Sequence, residues 1–314
     1  MNAPTMVALA EQYLAHRRSL GYAMRIEGAQ LLRFARFADE NGHHGPLTIE
    51  LLVQWATLPS ARPRLFPARR LDIVRRFAGY RAAFDLATEV PSRGLLGAAR
   101  RRPIHHIYSA AELAALIAAA GKLTPSQGLR PATYATLFGL LAASGLRVSE
   151  ALGLSRADVD LEIGVLTIHG TKLRKSRLVP LHPTAAHALR VYAHQRDRAV
   201  PRAIAQNFFT SAQGAALPYR TVRTTFHRLR TQLQWDALKP RPRIHDLRHT
   251  FACRRLEQWY KEGFEIASRI ATLSTYLGHV KVSDTYWYLT GTPELLALAA
   301  ERFQTLGEHS GGQP

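Results

Sequence analysis

The residues with the most chemical potential lie between Ile244 and Leu289. His245-Asp246-Leu247-Arg248 places a His and an Arg three apart, which puts both on one face of a helix. Leu277-Gly278-His279 adds a second His after a residue that allows a sharp turn, and Tyr288 follows nine residues later. Upstream, Ser144-Gly145-Leu146-Arg147-Val148-Ser149-Glu150 supplies another Arg, and Lys172 sits in a basic turn between two strand-like runs. Guanidinium and imidazole groups can hold a phosphate, and a tyrosine hydroxyl can attack it. The chemistry these residue types support is therefore phosphoryl transfer through a covalent phosphotyrosine.

Simpler roles exist for each group. Arg147 could only pair with Glu150 from i to i+3, Arg174 and Lys175 compete with Lys172, and Tyr286 competes with Tyr288. His245, His249 and His279 could be read as zinc ligands, but no Glu directly follows His245, no Cys pair is present, and Arg248 on the same face would repel a cation. Cys253 reads as a core residue, and His43-His44 as a solvated turn.

The ordered set Arg147, Lys172, His245-x-x-Arg248, Leu277-Gly278-His279, Tyr288 resembles the tyrosine recombinases, the phage-integrase class of site-specific DNA recombinases. Six positions in the right order are far harder to obtain by accident than any one of them. The resemblance spans roughly residues 104 to 290 and implies a fold, a reaction and a set of roles. Arg147, Arg248 and His279 would stabilise the scissile phosphate. His245 would accept the tyrosine proton or help hold the phosphate, Lys172 would protonate the leaving 5′ oxygen, and Tyr288 would form a 3′-phosphotyrosyl bond. That bond conserves the energy of the phosphodiester, so no cofactor, neither ATP nor metal, is required. The implied partner is double-stranded DNA at specific recombination sites. The implied assembly is a homotetramer, alone or with other recombinases, that passes through a Holliday junction during DNA integration or transposition. A type IB topoisomerase-like enzyme and a non-catalytic DNA-binding protein of the same fold remain alternatives. Two features depart from the usual pattern: His279 lies 31 positions after Arg248, with Trp259 to Phe264 looking inserted, and Leu289 follows the tyrosine. Both bring the chain nearer to transposon-associated integrases than to chromosome-dimer resolvases.

Composition agrees with a polyanionic partner. The 314 residues carry 42 Lys+Arg against 23 Asp+Glu, a formal charge of +19. One cysteine, no apolar run near the roughly 20 residues a bilayer span needs, and no secretory signal indicate a cytoplasmic protein with no membrane contact.

The elements that must carry these groups read as mostly α with a small β-hairpin or sheet, an α+β class. Residues 1–103 read as a helical DNA-binding, core-binding domain with its linker, and 104–314 as the catalytic domain with a C-terminal tail. Helical patterns run over Glu11–Leu20, Glu27–Glu40, Ile49–Leu58 and Leu71–Thr88. In the last of these, Leu71, Val74, Phe77, Ala78 and Phe84 face inward and Arg69, Arg70, Arg75, Arg76 and Arg81 outward. Ser109-x-x-Glu112 reads as a capping box that opens a helix, followed by a helix over Pro131–Ser144. Val165–His169 and Arg177–Leu181 read as a hairpin with a basic tip, then helices over Pro183–Arg198 and Tyr219–Leu233. The last of these is rich in Arg220, Arg223, Arg228 and Arg230. Arg75, Arg76, Arg81, Arg220 and Arg223 are the candidate DNA contacts. An apolar helix over Pro293–Phe303 is the candidate for exchange between neighbouring subunits.

Overall fold

The computed structural model describes residues 4–59, 66–98, 104–126, 128–169, 176–202, 204–279, 281–288 and 297. The chain divides into two compact units, Met1–Pro103 and Ile104–Pro314.

The first unit is a bundle of helices α1 (Met6–Ser19), α2 (Arg25–Glu40), α3 (Ile49–Thr57) and α4 (Pro67–Arg81). Helices α1, α3 and α4 start where a side chain or a proline meets their open N–H groups. Thr5 accepts from Ala8 N–H, and Asp39 of α2 accepts from the N–H groups of Met6 and Val7 at 2.7 and 3.0 Å. Thr48 caps α3, and Pro67 begins α4. The core is Phe34, Leu52, Trp55, Val74 and Phe77 with their neighbours. The fourth helix stops at Arg81 rather than Thr88. Asp85 accepts from Ala87 N–H and Thr88 Oγ1, and such local bonds compete with the helical ladder. Phe84 therefore lies past the helix and is 68% exposed rather than in the core.

The outward row on α4 is also less free than its spacing implies. Arg70 is half-buried: it caps α3 through the carbonyls of Trp55 and Leu58 and covers the Trp55 ring at 4.4 Å. Arg69 pairs with Glu27 and Asp72, and Arg75 and Arg76 also pair with Asp72.

The second unit is built around α6 (Leu129–Ser144), apolar on nearly every face and packed against α5 (Ala110–Ala120), α8 (Pro183–Ala199) and α10 (Asp246–Lys261). The Ser109/Glu112 capping box is formed at the start of α5. The short α7 (Val148–Gly153) leads to an antiparallel sheet of three strands, β1 (Val159–Asp160), β2 (Val165–Ile168) and β3 (Arg177–Pro180), in that order. Periodicity misses β1, because two residues are too short to show alternation. Leu166, Ile168 and Val179 face the core. The hairpin tip with Lys172, Arg174 and Lys175, and the tail segment Pro293–Phe303 apart from residue 297, lie outside the described residues.

Helix α9 (Tyr219–Gln232) exposes Arg220, Arg223 and Arg228, but Arg230 is buried and paired with Asp236 at 2.7 Å. Helix α10 runs unbroken through Trp259 and Tyr260, and after a short turn α11 (Ile266–Leu277) packs back on it. The stretch from Arg248 to His279 thus holds most of α10, with Trp259 and Tyr260 in it, a turn that contains Gly263 and Phe264, and α11. Ala252, Cys253 and Leu256 of α10 meet Ile266, Ile270, Leu273 and Leu277 of α11 around Tyr288. The last described helix is α12 (Ser283–Tyr286). Among the described residues, no helix is long and apolar enough to cross a membrane.

Candidate active site

Two glycine-capped helix ends frame the site. Gly145 ends α6 and Gly278 ends α11, both in the left-handed conformation at φ +61° and +68°. A Cβ at Gly145 would stand 2.5 Å from the Phe251 ring, and one at Gly278 would stand 2.6 Å from Nη1 of Arg177. Both turns therefore need glycine for conformation and for space.

Carboxyl ends of helices carry negative partial charge. Arg248, in the first turn of α10 and almost wholly buried, uses both: Nη1 donates to Gly145 O and Nη2 to Leu277 O, each at 2.7 Å. The buried cation is oriented by carbonyl dipoles and keeps its full charge. Burial lowers its pKa, and the neighbouring Arg147 lowers it too, while Tyr288 acts against both. Arginine nevertheless stays protonated.

Arg147 opens α7. Its Nη1 donates to Glu150 Oε1 at 2.7 Å, and Nη2 donates to Gly278 O at 3.2 Å. Glu150 is held from a second side by Arg177. Burial alone would raise the Glu150 pKa, but hydrogen bonds from Arg177 and Arg147 bring it down to about 2. The pairing of Arg147 with Glu150 and its place at the site coexist.

Tyr288 is buried, whereas Tyr286 is half-exposed. The Tyr288 ring stacks on His279 (centroids 5.8 Å apart, 18° between planes) and meets His249 edge-on at 5.1 Å. Burial raises its pKa, and the charge and hydrogen bond of Arg248 act in the opposite sense. His279 shares a 2.7 Å hydrogen bond with Thr285 Oγ1 through Nδ1, and burial with the nearby Arg248 lowers its pKa to about 4.

His245 directly precedes α10, with no side-chain capping bond, and its ring meets His249 edge-on at 5.1 Å. Desolvation and then the Arg248 charge lower its pKa to about 4. His249 is lowered to about 3, by burial first, and stacks on His105 at 3.3 Å. Asp246, fully buried, accepts from Arg243 and bonds His105, fastening the segment before α5 to the start of α10. Among the described residues, no group of three or more His, Cys, Asp or Glu is arranged to hold a metal ion.

Arg147, His245, Arg248, His279 and Tyr288 are thus brought together, while Arg75, Arg76 and Arg81 lie in the other unit and Arg220 and Arg223 on the surface of α9. Residues 108–294 match the model of the phage integrase family. The chain belongs to that family. This tyrosine recombinase is 41% identical over 300 residues to the candidate integrase/recombinase y4rB of Sinorhizobium fredii, covering 94% of this chain and 95% of the relative. It is 29% identical over 250 residues to the tyrosine recombinase XerD of Caulobacter vibrioides, covering 78% and 76% of the two chains. In fold it resembles the Tn1549 transposon integrase solved with transposon right end DNA: TM-score 0.71, 16% identity, 97% of this chain and 100% of that one. It also resembles XerH bound to palindromic difH substrate, with TM-score 0.66, 18% identity and coverage of 88% and 79%. Like its family, the integrase is a recombinase that cleaves and rejoins DNA.

Arg177, Thr285, His105 and Asp246 carry no local sign of their places around the site, and the spacing of His249 suggests only a metal ligand. Arg177 begins a strand, where an Arg reads as a solvated edge, and only the fold brings α7 to it, with Glu150, and α11, with the Tyr276 carbonyl. Glu150 itself was legible through its three-residue spacing from Arg147.

Proposed function

We propose that this recombinase cuts one strand of its site through Tyr288 and carries out site-specific integration or transposition. The observation that carries the reading is the packing of the Tyr288 phenol against Arg248, His279 and His249, with Arg147 close enough for its charge to act on it. The phenol oxygen attacks the scissile phosphorus, the P–O5′ bond breaks, and a 3′-phosphotyrosyl bond forms. Rejoining reverses the step with a 5′ hydroxyl from the partner strand.

Each group has a task that follows from its environment. Arg147 and Arg248 hold the non-bridging oxygens; Arg248, mounted on two carbonyls, keeps its whole charge for the phosphate, while Arg147 also bonds the Glu150 carboxylate. His279 donates through Nε2 when the Thr285 hydroxyl donates to Nδ1. His245, neutral at pH 7 with a pKa near 4, is free to take the phenol proton. Lys172 is the proposed acid for the 5′ oxygen. A 5′-bridging phosphorothiolate should rescue Lys172→Ala, because sulfur leaves without a proton; rescue of Arg174→Ala or Lys175→Ala instead would move the acid along the tip.

DNA is the partner. Duplex contacts through Arg75, Arg76, Arg81, Arg220 and Arg223 and assembly as a tetramer with a Holliday junction intermediate belong to this proposal. Two structural neighbours support the DNA partner: XerH was solved on its difH substrate, and the Tn1549 integrase with transposon end DNA. The deciding experiment uses a nicked suicide half-site. Wild type should give a covalent protein–DNA band on a denaturing gel, and Tyr288→Phe should not. A band from Tyr288→Phe that disappears in Tyr286→Phe would overturn the choice of nucleophile. Relaxation of a supercoiled plasmid lacking recombination sites would instead indicate topoisomerase behaviour.

A further inference from the structure

We propose that Arg177 is a positioning residue of the cleavage site, which holds Glu150 and the backbone at Gly278 and through them aims Arg147 at the scissile phosphate. This rests on the phosphotyrosyl reading above.

The ownership of the Glu150 carboxylate is the first ground. Arg177 makes the parallel fork, Nη1 to Oε1 at 3.1 Å and Nη2 to Oε2 at 2.8 Å. Arg147 reaches the carboxylate with a single guanidinium nitrogen and its own backbone N–H. A fork-to-fork pair is the stronger and more directional arrangement. The side chains of Arg177 and Glu150 are only 9% and 8% exposed, whereas Arg147 is 35% exposed. The buried ion pair is therefore Arg177–Glu150, and Arg147 is the member left open to solvent and substrate. Two guanidiniums on one carboxylate leave a net positive charge. Without Arg177, the buried Glu150 would have Arg147 as its only cation and would turn that fork away from a phosphate.

The second ground is the backbone. Arg177 Nε donates to Tyr276 O at 2.8 Å, in the last turn of α11. Its guanidinium occupies the space where a side chain at 278 would begin, with Cζ at 2.8 Å from that position. The Gly278 carbonyl then receives Arg147 Nη2. One side chain thus explains the glycine before His279 and fixes the acceptor that Arg147 uses. Arg177 is also the first residue of β3, paired with Ile168 of β2. The root of the hairpin is fastened to the same cradle.

A purely structural role, pinning β3 to α7 and α11, would slow every reaction alike. A role in aiming Arg147 would matter only when the phosphate carries its charge. A scissile methylphosphonate separates the two: methyl replaces one non-bridging oxygen, the reacting group is neutral, and the nucleophile and leaving group are unchanged. Covalent trapping on nicked substrates should show Arg177→Met slower than wild type by about 10²-fold on phosphate, the scale of losing one transition-state donor. On methylphosphonate the deficit should shrink by about tenfold or more, since the lost donor no longer faces an anion. Arg177→Lys keeps the charge but not the fork and should lose about tenfold on phosphate, with the same relief on methylphosphonate. It carries the comparison if Arg177→Met fails to fold. Wild-type cleavage of phosphate by both variants, or equal deficits on the two substrates, overturns the proposal. Failure of the wild-type protein to form any covalent product would overturn the phosphotyrosyl reading itself, and this inference with it.

Discussion

Arginines gather in two places, along α4 and around Tyr288, and they are mounted differently. On α4 one carboxylate, Asp72, takes Arg69, Arg75 and Arg76 at 3.4, 3.2 and 2.7 Å. Around Tyr288, Arg248 rests on two helix-end carbonyls and no carboxylate, and the single carboxylate near Arg147 is owned chiefly by the buried Arg177. A carboxylate orients a guanidinium by cancelling its charge, whereas a carbonyl dipole orients it and leaves the charge intact. The α4 pairs lie partly in solvent, where such pairs contribute about 0–1 kcal/mol and can give way to a phosphate. The Arg248 mounting is dry and preset, so its field needs no reorganisation when a phosphate arrives.

Mutation tests that contrast most sharply at its catalytic end. Tyr288→Phe should abolish covalent capture while half-site binding in a native gel persists. Arg248→Ala and Arg147→Ala should each lower single-turnover cleavage by at least about 10²-fold. Arg248→Ala should also lower the melting temperature, because two buried carbonyls lose their donor, at about 1–3 kcal/mol for each unsatisfied group. Equal losses of cleavage from Arg75→Ala at saturating DNA would break the comparison.

Stability against pH probes the same buried pocket with a smaller effect. His249 and His279 titrate near 3 and 4 when folded and near 6.5 when unfolded. Between those limits only the unfolded chain binds the protons, so stability is full above pH of about 6.5 and falls as pH drops toward about 4. Glu150, near 2 when folded, adds a separate loss below pH of about 4.5. Melting temperatures should be level from pH 7.5 to about 6.5 and then fall steadily to pH 4.5, less steeply in His249→Asn; a flat profile throughout would show the imidazoles to be solvated.

The smallest effects belong to α4. Arg75→Ala and Arg76→Ala should each weaken DNA binding modestly for any sequence and reduce the salt slope of log K by about one. Asp72→Asn should strengthen binding slightly by releasing the row. Fluorescence anisotropy across a salt series would show both, and an unchanged slope would take α4 off the DNA.

What could be read from the chain without its fold was whatever depends on neighbours in sequence. His245 and Arg248 fall within one helical turn, Ser109 and Glu112 close a capping box, Glu150 sits a turn from Arg147, and the apolar spacing of Leu31, Phe34 and Ala38 marks a buried face. These contacts are within a few residues, so periodicity and capping chemistry expose them. The net charge of +19 pointed to a polyanion for the same reason, since charge sums without geometry. What depends on segments far apart in sequence needed the tertiary structure. Only folding brings Arg177 to Glu150 and Gly278, His105 to His249 and Asp246, and the ends of α6 and α11 to one guanidinium. Folding also decides which arginines remain open: Arg70 and Arg230 carry the same spacing signals as their exposed neighbours, yet one covers Trp55 and the other is buried on Asp236. A guanidinium reaches its partner wherever the packed helices place it, and no local pattern records that distance.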